Sequence, residues 1–222
     1  MSHPDPNGPA DTRPWRIGDE LDNPVTREHA RILEAVWQNP DGRARAEMTA
    51  RVGARVLGEH LHPGIVERFT VLEGELTVRL DGKTSKLLEG QTGDVRAGQW
   101  HDWWNASDRD ARVIVEVVPG ARFAHMLETL FGLARMGCVD DKGMPNLLQM
   151  ALIGREFSDT VQFKSPPPAV QRAVFAALAP LAHAMGYRAT YPQLSRSLLA
   201  PDPADVAAAR AAGHMAGDAP EP

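Results

Sequence analysis

Cysteine is almost missing from this chain: of 222 residues, Cys138 is the single one. A disulfide framework and a cysteine-built zinc site are therefore excluded. No activating partner for the thiol is identifiable, so Cys138 reads as a buried spectator. Basic residues are not in excess. Lys and Arg number 24 against 29 Asp and Glu, and the net charge is −5. Without a basic stripe to neutralise phosphates, nucleic acid is not an expected partner. No apolar run approaches the ~20 residues of a membrane span. The polar, Pro-rich start lacks the apolar stretch of a signal peptide. The expectation is a cytoplasmic protein. No internal repeat is visible, which excludes a duplicated two-barrel chain.

The length suits one domain with an appendage. Residues 1–22 are rich in Pro, Asp and Gly and read as a flexible arm. Residues 23–120 read as strands. From Arg43 to Val52 the pattern alternates, with Ala44, Ala46, Met48, Ala50 and Val52 on one face. Leu76, Val78 and Leu80 alternate in the same way, and Asp81-Gly82 then supplies a tight hairpin turn. Val113, Val115 and Val117 form the inner face of a later strand. Many short strands with regular turns predict a mainly β, antiparallel barrel or sandwich.

Helical spacing begins after Gly120 and defines a C-terminal helical extension over residues 121–200. Phe123, Met126, Leu127, Leu130, Phe131 and Ala134 make one apolar stripe. A second helix is predicted from Pro145 to about Phe157. A third is predicted from Pro168 toward Gly186, kinked or split at Pro180. These faces are too few to stand alone, so the helices are expected to pack on the barrel. The stripe from Phe123 is the candidate lid. Residues 201–222 read as a disordered tail.

The richest feature is a set of three imidazoles and a carboxylate: His60, His62, Glu67 and His101. His60 and His62 are two apart on a strand and share a face. Pro63-Gly64 breaks that strand, and Glu67 enters on the next. His101 follows the turn at Gly98 and opens another strand. This donor set suits one divalent transition metal ion, with Fe, Mn, Ni, Cu and Zn all compatible. An open coordination position would make the site catalytic. Asn105 reads as a turn residue that bonds its own backbone. The remaining histidines, among them His29, His125 and His183, have no ligand-like spacing.

These residues stand in two spaced motifs. The first is His60-x-His62, four intervening residues, Glu67, six more, then Gly74. The second is Gly90, Arg96, Gly98, His101 and Asn105. Together they resemble the cupin superfamily. Arg96 stands where the pattern usually has Pro, which alters a turn and not a ligand. The resemblance implies a double-stranded β-helix (jelly-roll) barrel, a metal held by His60, His62, Glu67 and His101, and commonly a homodimer. It also implies several reaction types, so fold alone does not choose one.

Trp100, Trp103 and Trp104 flank His101, and Phe69 lies near Glu67. Phe69, Trp100 and Trp103 are therefore the candidate substrate pocket, an apolar wall suited to a small planar or apolar molecule. The expected function is dioxygenase-like oxidation of such a molecule, with Glu67 as a ligand that can loosen and act as base. The alternatives are a metal-assisted isomerase, epimerase or lyase, and a non-enzymatic small-molecule-binding protein.

Overall fold

The computed structural model describes residue 4, residues 16–191 and residues 193–194. The expected tail at 201–222 and most of the expected arm at 1–22 lie outside the described residues. The strands of the barrel are β1 (Glu20–Asn23), β2 (Glu28–Glu34), β3 (Ala44–Ala50), β4 (His60–Leu61) and β5 (Val66–Glu73). They continue with β6 (Glu75–Leu80), β7 (Lys83–Leu88), β8 (Thr92–Val95), β9 (His101–Trp104) and β10 (Ala111–Val118). Then come α1 (Ala121–Arg135), α2 (Leu147–Glu156), the two-residue strand β11 (Gln162–Phe163) and α3 (Pro168–Ala184).

Two antiparallel sheets face each other. One runs β1-β2-β3-β10-β5-β8 and the other β11-β4-β9-β6-β7. This is the jelly-roll barrel with C-terminal helices that the sequence predicts. The Asp81-Gly82 turn joins β6 to β7 with both residues at positive φ, +46° and +81°, the geometry whose twist matches a tight hairpin. Gly74 sits between β5 and β6 at φ +80°, where a Cβ would come within 2.9 Å of the Asp110 carbonyl oxygen; no other residue fits there without displacing backbone.

The inner faces follow the predicted alternation. Val113 on β10 pairs across to Met48 on β3 and to Val71 on β5, and all three are buried. They belong to a barrel core with Leu76, Val78 and Trp103. Val52, expected on the same face, lies past the end of β3 and is exposed. Ala44 and Ala46 are only half-buried, because they border a cavity instead of opposing side chains.

A second core joins the helices to the sheet. Leu21 of β1 packs with Met126, Leu130 and Leu133 of α1, Ile153 of α2 and Tyr191. The helices thus cover the β1–β2 side of the barrel. α2 starts at Leu147, two residues later than expected. The Asn146 side chain accepts from the backbone N–H groups of Leu148 and Gln149 at 3.1 Å each and sets that start. α3 runs unbroken through Pro180, so the helix is not split there. Pro180 is exposed, as is Ala176, whose carbonyl loses its donor. Solvent can satisfy that carbonyl, so the missing N–H does not break the helix. Among the described residues no helix is long and apolar enough to cross a membrane.

Candidate metal centre

His60 and His101 are direct cross-strand partners on β4 and β9. That pairing brings their rings to 4.2 Å centroid to centroid. His62 follows β4 and returns to the same point, 5.1 Å from the His101 ring. Glu67 enters from the opposite sheet on β5. All four side chains are at most 5% exposed, and one ligand atom from each lies within 4.8 Å of the others. The four residues singled out from sequence therefore converge.

Each imidazole is oriented by a backbone carbonyl. His60 Nδ1 donates to Gly58 O at 2.8 Å, His62 Nδ1 to Thr160 O at 2.6 Å, and His101 Nδ1 to Gln99 O at 3.2 Å. A carbonyl only accepts, so each Nδ1 carries a proton, and in the neutral ring Nε2 keeps its lone pair. This is the outer support that fixes ligating histidines elsewhere. His62 Nε2 and His101 Nε2 approach Glu67 Oε2 at 3.4 and 3.0 Å. Yet both Nε2 atoms are buried with no hydrogen-bond partner among the described residues. Two buried, unsatisfied lone pairs beside a carboxylate are costly unless a cation occupies the space between them.

Electrostatics agree for His60 and Glu67. Burial lowers the His60 pKa to about 3, helped by the neighbouring His101 and His62, so His60 is neutral and ready to ligate. Burial pushes the Glu67 carboxyl up, but His62 and His101 overcome it and hold the group well below the usual carboxylate range. Burial likewise opposes protonation of His62, and the Glu67 charge outweighs it and raises that imidazole. A full negative charge thus sits in a buried nest of imidazoles. This donor set fits a divalent transition metal.

The site opens onto a cavity of about 180 Å³. His60, His62 and Glu67 form part of its wall, with Phe69, Trp103 and Val115 from the barrel. Phe123, Met126 and Leu127 of α1 close the other side, and the Phe123 ring meets His62 edge-on at 5.4 Å. The stripe expected as a lid therefore faces the cavity. Phe69 follows Glu67 by two positions and Trp103 follows His101 by two, so alternation turns both inward. Trp100 has the opposite parity and is not part of the wall. Its ring lies 6.0 Å from the Lys164 ammonium instead. Trp104 also faces outward, beneath the Arg79 guanidinium at 5.1 Å. Asn105 bonds the carbonyls of Ala50 and Arg109 and accepts from Ser107, a turn role as expected.

Sequence reasoning missed the contribution of the segment after α2. Thr160 supplies the carbonyl for His62, and Phe163 on β11 pairs with His60 in register. A two-residue strand has no periodicity to detect. Lys164 also reaches back to Glu59 at 2.6 Å, tying this segment to the barrel.

The family comparison covers the strands that bear this site. The cupin domain family matches residues 46–118, a span that holds all four converging side chains. No curated protein matches the chain. One similar solved structure is TT1209 from Thermus thermophilus, with 25% identity over 36% of this chain and 76% of that one, at a TM-score of 0.34. Another is KdgF from a Halomonas species, with 19% identity over 46% and 86% of the two chains and a TM-score of 0.40. A third, from Thermotoga maritima, is described as a predicted oxalate decarboxylase; it is 20% identical over 46% and 92%, with a TM-score of 0.41.

Proposed function

Because this chain belongs to the cupin superfamily through residues 46–118, we propose that it is a metal-dependent enzyme performing dioxygenase-like oxidation of a small organic molecule. The observation that carries the reading is the pair of orphaned Nε2 atoms of His62 and His101, set beside Glu67 at the wall of an apolar cavity. His60, His62, Glu67 and His101 would hold the ion. A redox-active ion there would supply oxygen chemistry, and a zinc ion Lewis acidity.

The protein's own groups do the rest. Phe69, Trp103 and Phe123 exclude water and position an apolar body beside the four donors. Glu67 carries a negative charge that would balance a bound cation. Its second oxygen would be the one left to take a substrate proton. The three carbonyl-held imidazoles would keep the donor geometry fixed around a bound ion.

The test is elemental analysis of protein purified without affinity tag or chelator, followed by an oxygen electrode with candidate substrates. Iron, manganese, nickel or copper near one per chain, with substrate-dependent oxygen uptake, is the expected result. Zinc with turnover in the absence of oxygen would replace this reading with a metal-assisted isomerase or lyase. Tight ligand binding without turnover would leave a binding protein.

A further inference from the structure

The cavity wall is almost wholly apolar, and its polar side chains are nearly all committed. Asn23 accepts from the backbone N–H groups of Val25 and Thr26 at 3.1 Å each. Glu28 accepts from the Thr26 hydroxyl. Arg45 is ion-paired to Glu34 through Nη1 at 3.3 Å, although its buried Nε has no hydrogen-bond partner among the described residues. Gln171 donates to the carbonyls of Phe163 and Pro166.

Among the charged side chains of the wall, Arg172 is the exception. It lines the cavity from α3, is exposed, and has no hydrogen-bond or ion-pair partner among the described residues. It directly follows Gln171, whose amide grips Phe163, and Phe163 is the strand partner of His60. A free guanidinium therefore stands at the mouth of the chamber, on the side of the converging histidines.

We propose that Arg172 anchors an anionic group of the ligand, so that the chamber takes a small monocarboxylate with an apolar body. This rests on reading the cavity as the substrate chamber of the metal site. A guanidinium offers two parallel donors that match a carboxylate. Left solvated until the ligand enters, it carries no burial cost in the free protein. The 180 Å³ volume slightly exceeds the ~150 Å³ apolar cavity that holds benzene. One ring or a short branched chain fills it, with the carboxylate left at the mouth. A single unpaired cation suits one negative charge.

The experiment is titration calorimetry of the metal-loaded protein with benzoate, phenylacetate and 3-phenylpropanoate, each beside its primary carboxamide. The expected result is an acid bound about tenfold tighter than its amide, the gain of one charge-assisted pair. Arg172→Gln should bring the ratio to about one with metal content unchanged, and Arg172→Lys should keep part of it. Equal binding of acids and amides, no binding of any acid, or an unchanged ratio in Arg172→Gln would overturn the proposal. Repeating the series on chelator-treated protein separates the two readings. An Arg172-dependent acid preference that survives without metal upholds the anchor even if the metal function fails.

Discussion

Glu28 is an inward-facing carboxyl on β2, opposite Ala50 and on the same face as Ala30 and Ile32. Burial raises its pKa to about 7, and the hydrogen bond from Thr26 only partly opposes this. The folded state therefore binds a proton that the unfolded chain has released above its ordinary value of 4.5. Stability contributed by this group is intact below about pH 4.5 and falls as pH rises toward 7, by at most about 3 kcal/mol. Urea unfolding at pH 5 and pH 8 should show that Glu28→Gln loses much less stability over this interval than the parent. Equal losses would mean that Glu28 stays solvated. At the metal centre, His62→Ala or His101→Ala is expected to abolish metal binding while the barrel keeps its circular dichroism. Stoichiometric metal in both variants would refute the assignment. The four candidate ligands were legible because strand parity and turn glycines constrain their spacing. Glu28 and Arg172 were not, because a lone charge in a sequence carries no sign of which side of a sheet or helix will face a void.

The element that changes the site most is β11, whose Phe163 pairs with His60 just beyond the Thr160 carbonyl that orients His62. Gln171 on α3 holds this segment through the Phe163 and Pro166 carbonyls. Gln171→Leu would leave those acceptors without their donor. The expected cost is about 1–3 kcal/mol of stability, with metal affinity about tenfold or more weaker, the usual penalty for disturbing a ligand's support. Chemical unfolding and competition with a chelator measure the two. Unchanged affinity would show that β11 is a bystander to the centre. Strands with four or more alternating residues and helices with a clean stripe were readable. The α2 start, the unbroken α3 and β11 itself were not. An Asn cap displaces a boundary by two residues, an exposed proline is tolerated by solvent, and two residues cannot establish a period.

Across the whole molecule, the barrel core and the helix-to-sheet core are separate clusters bordering one cavity: Phe69 and Trp103 line it from the first, Met126 and Leu130 from the second. A cation in that chamber would bind the native state and not the unfolded chain, and so stabilise both cores together. At a metal concentration about a hundredfold above the dissociation constant the gain is about 2.7 kcal/mol. Chelation is then expected to lower the melting temperature by about 5–11 °C, and re-addition of metal to restore it. A melting temperature indifferent to chelator would mean that no ion was held. The jelly roll was readable as a whole because its strands recur in short, alternating runs. The chamber was not, since it arises where two distant stretches meet.

His62 and the carbonyl that orients it are 98 residues apart in the chain. During synthesis at about 5–20 residues per second, that gap corresponds to roughly 5–20 s. For the later part of that interval, once His101 has been made, the newborn barrel has its four donors but lacks the support for one of them. If an ion binds there, the support that orients His62 would be added to its site only once the C-terminal half has emerged.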